Sequence, residues 1–337
     1  MLKICEKLPA GFLNASPVEL KSLLGGPTLF HLPGQRSRPL FVSILLHGNE
    51  TTGLLAIQAL LARYQPVPLP RAVSIFVGNV DAASVGKRLL PGQRDYNRIW
   101  IKSDGAEYDM TQKVVDVMRE RNVFACIDIH NNTGKNPYYA IIARTDAEHL
   151  ACAALFSDIV VYATRPDTTC TVAFSKLCPS LTLEAGLPGD PIGVDRTVGF
   201  LESCFQVRDF QTPVPNPVRL FHTVAIVKVP ESFSYGFLGE DVDIQLVDNI
   251  DQYNFQELQP GVCLAWVRNG NQRYLDVQHV DGQQAYTRYF VVKERRLQVA
   301  RTVMPAMLTM DRDIISLDCL GYLMERFSPR EFHENQP

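Results

Sequence analysis

Short apolar segments alternate with amphipathic helical segments between about residues 40 and 210, and this alternation constrains the fold most strongly. The apolar runs at 41–46, 73–77 and 123–129 have the length of buried strands, and polar residues follow each of them. Segment 51–64 instead repeats its apolar residues at helical spacing. Strands that alternate with helices in this way predict an α/β fold, a doubly wound sheet with helices on both faces.

The composition changes at residues 211–218, where three prolines within five residues predict an extended linker. Beyond it, runs rich in β-branched and aromatic residues are separated by turn residues, a pattern typical of short strands. A chain of 337 residues is long enough for two domains. We therefore expect an α/β domain at residues 1–210 and a smaller β-rich C-terminal domain at 219–337.

Charge and composition argue against two classes of partner. Lys and Arg number 33 against 36 Asp and Glu, without a dense basic run, so neither nucleic acid nor a membrane is expected as a partner. No apolar stretch reaches the roughly 18 residues of a membrane helix, and the N-terminus lacks the apolar core of a signal peptide. The eight cysteines are scattered without a CxxC pair, which favours reduced thiols and a cytoplasmic location. The oligomeric state stays open, with a homo-oligomer as one candidate.

Three candidate metal ligands lie at the ends of predicted strands. His47 directly follows the strand at 41–46, Glu50 comes three residues later, and His130 directly follows the strand at 123–129. In open α/β sheets, ligands bind at the carboxyl ends of strands. Imidazole and carboxylate groups bind zinc, and a catalytic zinc takes three protein ligands and a water. The HxxE spacing alone would equally fit a polar loop before a helix, but the second strand-end histidine favours one zinc site per chain.

A further carboxylate, Glu184, ends the short apolar strand predicted at 180–184. A carboxylate at the end of an apolar strand is costly unless it is paired or functional. Hydrolysis at a metal needs a group that accepts a proton from water and passes it on. Glu184 is therefore a candidate general base, and a structural ion pair is the alternative.

The loop before Trp100 carries three arginines, Arg88, Arg94 and Arg98, with Asn97 beside the last. Arginine binds carboxylates through two parallel hydrogen bonds and can stabilise an oxyanion. This cluster indicates an anionic substrate, and scattered surface arginines are the alternative.

Four motifs in this order resemble those of the succinylglutamate desuccinylase/aspartoacylase family, a branch of the zinc carboxypeptidase-like folds. They are HGNE (47–50), RDYNRIW (94–100), DIHNNTG (128–134) and LEAG (183–186). The resemblance covers about residues 40–200 by motif. It implies a mixed α/β sheet with helices on both faces, and the β-rich tail matches the family's general plan. The α/β domain would then be the zinc-hydrolase catalytic domain.

The resemblance also implies roles for the strand-end residues. His47, Glu50 and His130 match the zinc ligands of the family. Glu184 matches the glutamate that activates the zinc-bound water. Asp128, two residues before His130, is a candidate for orienting that ligand, and a structural role is the alternative.

The arginine loop matches the part of the family that recognises substrate. Asn97 and Arg98 match an Asn-Arg pair that holds the carboxylate of the amino-acid part of the substrate. The family also has an upstream arginine that polarises the scissile carbonyl. Arg88 is our assignment for it, and Arg94 is the rival.

The implied activity is zinc-dependent hydrolysis of the amide bond of a small anionic N-acyl amino acid. This is a non-peptide C–N bond, and the sequence specifies neither the acyl group nor the amino acid. A metallocarboxypeptidase that acts on short peptides would use the same ligands and clamp. A non-catalytic binding protein on the same fold is a third hypothesis, although such a protein has no need of Glu184.

Overall fold

The structure is a computed structural model that describes residues 2–211, 218–269 and 273–327. The predicted linker at 211–218 lies, apart from its two end residues, outside the described residues. No helix in these three ranges is both long and apolar enough to cross a membrane.

The described residues form two compact units. The first contains residues 2–131, 138–211 and 218–219, and the second contains 132–137, 220–269 and 273–327. The short segment 132–137 belongs to the second unit because its contacts lie there. For example, the hydroxyl groups of Thr133 and Thr309 are 2.8 Å apart.

The first unit is built on a mixed sheet. Its strands are β1 (Lys3–Cys5), β2 (Thr28–Leu32), β3 (Gly34–Ile44), β4 (Leu69–Val77), β5 (Ala125–His130), β6 (Tyr139–Ile142), β7 (Ile159–Tyr162) and β8 (Ser180–Glu184). They lie in the order β1-β2-β4-β3-β5-β8-β6-β7. The central strands β4, β3, β5 and β8 are parallel, whereas β2 and β6 run antiparallel to β4 and β8. The parallel centre brings the carboxyl ends of β3, β5 and β8 to one edge.

Helices cover both faces of this sheet, as predicted. They are α1 (Leu20–Leu24), α2 (Thr52–Arg63), α3 (Val80–Ala83), α4 (Gly105–Glu120), α5 (Ala147–Ala154), α6 (Cys170–Phe174) and α7 (Pro191–Gln206). In α2, Gly53 lies against Ile44 and Ile129 on one face. On the other face, Phe174 of α6 stacks on Phe41 with ring centroids 4.6 Å apart. The α/β fold class is confirmed.

The second unit is rich in short strands. They are β9 (Arg219–Lys228), β10 (Tyr235–Phe237), β11 (Ile244–Leu246), β12 (Cys263–Val267), β13 (Asp276–His279), β14 (Phe290–Lys293), β15 (Arg296–Val299), β16 (Met304–Ala306) and β17 (Gly321–Arg326). Two short helices, α8 (Tyr286–Tyr289) and α9 (Arg312–Leu317), accompany them. β9 pairs with β13 and β17, and β17 pairs with β16. The other five strands form a sheet in the order β10-β11-β12-β15-β14. Both sheets bury apolar side chains in one core.

Two helical glycines allow the packing of α2 to be tested against helix propensity. At Gly199, in α7, an added Cβ would meet no atom within 4 Å, so Gly199→Ala should stabilise the protein by about 0.5–1 kcal/mol. At Gly53 the same Cβ would lie 2.8 Å from Ile44 Cγ2, so Gly53→Ala should destabilise it by about 1–3 kcal/mol. Thermal unfolding followed by circular dichroism measures both effects. Equal shifts at the two positions would contradict the close packing of α2 on the sheet.

Candidate metal centre

The chain turns sharply where β3 ends, and this turn presents His47 and Glu50. Leu45 adopts a left-handed conformation with φ 54°, an arrangement that costs an ordinary residue about 1–3 kcal/mol. At Gly48, a Cβ would lie 2.2 Å from the backbone nitrogen of Ala83, so only glycine fits at position 48. Glu50 lies two residues before the start of α2. His47 and Glu50 are almost fully buried, with exposed fractions of 3% and 5%.

His130 and Glu184 are the last residues of β5 and β8. The parallel pairing of these strands sets His130 directly beside Glu184. Register partners on adjacent strands point to the same face of a sheet, so both side chains leave the same face at its carboxyl edge. Both are buried.

The Glu50 carboxylate lies between two imidazoles. Its Oε1 is 2.7 Å from Nδ1 of His47, and its Oε2 is 2.7 Å from Nδ1 of His130. One ligand atom from each residue lies within 4.8 Å of the other two. The structure therefore brings together the three residues that the sequence predicts as metal ligands, and the cluster could hold a metal ion.

A second carboxyl group contacts the outer nitrogen of each imidazole. Asp95 Oδ1 is 3.0 Å from Nε2 of His47, and Asp128 Oδ2 is 2.9 Å from Nε2 of His130. A carboxylate that accepts from Nε2 leaves Nδ1 as the nitrogen that can bind a metal. The sequence predicts Asp128 for this position but does not predict Asp95. Its signal was its place in the RDYNRIW motif, one residue after Arg94.

Opposite charges dominate the electrostatics of the cluster. Burial alone would raise the pKa of Glu50, but the two imidazoles outweigh it and hold this pKa below its usual range. Burial would lower the pKa values of His47 and His130, but the neighbouring carboxylates raise both of them. Burial also opposes ionisation of Asp95, and His47 and nearby arginines nevertheless hold its pKa well below its usual range. The carboxylates are thus kept ionised, the form that binds a metal.

The two rival arginines lie in different surroundings. The Arg88 side chain is only 10% exposed, with NH1 3.4 Å from Glu50 Oε1 and NH2 3.2 Å from Asp95 Oδ2. The Arg94 side chain is 44% exposed and pairs with Asp104 at 2.6 Å. Arg88 therefore lies in the cluster, whereas Arg94 makes its ion pair with an exposed residue of the same loop.

The Asn97 side chain borders His130. Its Oδ1 accepts the backbone N–H of Cys170 at 3.0 Å, which turns its Nδ2 toward Nε2 of His130 at 3.3 Å. Because Nε2 of His130 donates its hydrogen to Asp128, it cannot accept one from Asn97. The Asn97 nitrogen therefore lies beside this ring atom without a hydrogen bond to it. Arg98 donates from NH1 to the backbone oxygen of Asn97 at 3.0 Å.

The donor set fits a zinc ion. Two neutral imidazole nitrogens and one carboxylate oxygen are a ligand combination found in catalytic zinc sites, which keep a further position for water. Here each imidazole is oriented by a carboxyl group, and the carboxylate ligand joins them. A Lewis acid and a nearby buried carboxylate, Glu184, are the parts that hydrolysis of an amide requires.

The fold and this cluster define an α/β protein with a candidate metal centre at the carboxyl edge of its sheet. The model of the succinylglutamate desuccinylase/aspartoacylase catalytic domain matches residues 38–189. This segment contains the four motifs, so the match confirms the resemblance read from them.

Solved structures share the fold at low sequence identity. A succinylglutamate desuccinylase from Vibrio parahaemolyticus is 12% identical, with a TM-score of 0.57 over 88% of this chain and 84% of that chain. One from Chromobacterium violaceum is 17% identical, with a TM-score of 0.54 over 87% and 86%. Murine aminoacylase 3 is 14% identical, with a TM-score of 0.58 over 87% and 96%. Among curated proteins, no sequence matches the chain.

Asp95 should strengthen metal binding through His47. Asp95→Asn removes the charge that fixes the His47 ring and holds Arg88, so we expect metal affinity to fall about 10–100-fold. Competition with a chelator measures the dissociation constant of added zinc. Asp104→Asn is the matched control, because Asp104 is exposed and pairs with Arg94 in the same loop. Equal affinities in wild type and Asp95→Asn would exclude this role.

Proposed function

We propose that the protein is a zinc-dependent amidohydrolase that cleaves small anionic N-acyl amino acids. The observation that carries this proposal is the buried His47–Glu50–His130 cluster with Glu184 one strand away, in register with His130. The match to the catalytic-domain model of the succinylglutamate desuccinylase/aspartoacylase family supports the substrate class. We assign the activity to the domain at 1–210 and one zinc to each chain, and we treat 219–337 as a separate β-rich domain.

In this proposal His47, Glu50 and His130 hold the zinc. Bound zinc supplies a Lewis acid, which lowers the pKa of water and polarises a carbonyl group. Glu184 accepts a proton from the attacking water as the new C–O bond forms. The same carboxyl group then gives this proton to the amine as the C–N bond breaks. The products are a carboxylic acid and a free amino acid.

The arginine loop recognises the substrate in this proposal. Asn97 and Arg98 bind the carboxylate of the amino-acid part, which suits the Asn97 amide because Cys170 fixes its oxygen and leaves its nitrogen as the donor. Arg88 stabilises the oxyanion, since it lies beside Glu50 and Asp95 in the buried cluster. Arg94 has no part in the reaction.

Glu184 should be needed for turnover and not for metal binding. Glu184→Gln keeps the size of the side chain but removes its basicity, so we expect kcat to fall about 10²–10⁴-fold with zinc content unchanged. Elemental analysis and a steady-state assay measure the two quantities. Glu148→Gln, on an exposed position of α5, is the control. Wild-type turnover in Glu184→Gln would remove this residue from the mechanism.

The substrate class can be tested with a panel of N-acetyl and N-succinyl amino acids beside short peptides. We expect hydrolysis of N-acyl amino acids and little activity on peptides. Preference for the peptides would favour a metallocarboxypeptidase. Full zinc loading without turnover of any amide would favour a binding protein.

The two arginines provide a matched pair. Arg88→Lys should lower kcat/KM at least 10-fold, because lysine cannot reproduce the fixed pair of N–H donors. Arg94→Lys should leave kcat/KM within about twofold, since its exposed ion pair contributes little. The opposite result would assign the oxyanion role to Arg94.

A further inference from the structure

Asn131 follows His130 and is 5% exposed. Its Oδ1 accepts the backbone N–H of Thr52 at 3.2 Å. Its Nδ2 donates to Thr52 Oγ1 at 2.8 Å and to the backbone oxygen of Gly186 at 2.9 Å. Both hydrogens of this amide are therefore used within the protein, and Asn131 is a fixed link between separate segments.

The first of these segments is the start of α2. The first N–H groups of a helix have no partner within the helix, and the N-cap residue Thr51 makes no side-chain capping bond. Asn131 supplies the missing acceptor to Thr52. Its backbone N–H also donates to Oε2 of Glu50 at 3.2 Å, so the same residue contacts both the helix start and the carboxylate ligand.

The second segment is the loop that follows Glu184. Gly186 lies two residues after Glu184, and its carbonyl accepts from Asn131. Gly189 donates its backbone N–H to Thr52 Oγ1 at 3.2 Å, so the Thr52 hydroxyl bonds both Asn131 and this loop. Asn131 and Thr52 thus connect the loop after β8 to the start of α2.

This link matters because Glu50 lies outside the sheet. His130 and Glu184 are strand residues, and strand pairing fixes their register. Glu50 precedes α2, so its position relative to these two residues depends on how the helix start is attached. A misplacement of about 1 Å in a catalytic site can reduce the rate about 10²-fold.

We infer that Asn131, together with Thr52, is a positioning residue that sets Glu50 relative to His130 and Glu184. This inference rests on the proposed function for the role of Glu184. The effect of Asn131 on metal binding through Glu50 can be measured without any substrate.

The test uses two pairs of variants. Asn131→Asp keeps an acceptor for Thr52 but cannot donate to Gly186, and Asn131→Ala removes the whole link. Thr52→Val removes the hydroxyl at constant shape, whereas Thr52→Ser keeps it. Asn14→Asp, at an exposed position, controls for the change of charge.

Three measurements separate positioning from stability: the zinc dissociation constant, kcat and KM at saturating zinc, and the midpoint of thermal unfolding without zinc. We expect Asn131→Ala and Thr52→Val to weaken zinc binding about 10-fold or more. We also expect them to lower kcat more than they raise KM. Thr52→Ser and Asn14→Asp should have zinc affinities and kcat values near those of the wild type.

A lower unfolding midpoint with unchanged zinc affinity and unchanged kcat in the folded fraction would overturn the inference. If the Asn131 variants do not fold, equal zinc affinity and kcat in Thr52→Val and Thr52→Ser would overturn it as well. A wild-type protein that binds zinc but hydrolyses no amide would refute the proposed function. The zinc affinities of the variants would then still test whether Asn131 and Thr52 position Glu50.

Discussion

The carboxylate of Glu50, held between two imidazoles, is the interaction on which the site depends. Each oxygen lies 2.7 Å from one Nδ1, so a single side chain connects the turn after β3 with the end of β5. A buried carboxylate is costly unless opposite charges or donors compensate it. Here His47, His130, Arg88 and the backbone N–H of Asn131 all contact it. The negative charge of this buried carboxylate also makes the cluster suited to bind a cation.

The sheet supplies the rigid part of this arrangement. β3, β5 and β8 are adjacent and parallel, so their ends meet at one edge, and the register makes His130 and Glu184 neighbours. Strands buried on both faces keep this register because a shift by one residue would turn every side chain to the other face. The loops that bring Glu50 and Asp95 are not held by strand pairing. Their positions depend on side-chain contacts, and this explains why so many of the polar groups near the cluster are bonded to one another.

The comparisons with known proteins and the geometry of the site answer different questions. The match over residues 38–189 shows a similarity to the family's catalytic domain, and structures with 12–17% identity show the fold. Such distant relatives leave the acyl group and the amino acid open. The buried ion pairs of Arg88 give a physical reason to prefer it over Arg94, which is exposed. The choice of Arg88 therefore rests on contacts within this chain and not on its relatives.

The sequence by itself determined the α/β class, the β-rich C-terminal part and the identity of the clustered residues. It could do so because apolar runs of strand length reveal β3, β5 and β8, and polar residues at their ends must share an edge. The N-terminal strands β1 and β2 were not predicted, since β2 mixes Thr28 and His31 with its apolar residues. Only the tertiary structure decided which imidazole nitrogen faces inward, that Asp95 supports His47, and that Asn131 reaches Gly186. These contacts join residues 48 and 55 positions apart, and they depend on the path of loops that local sequence patterns do not encode.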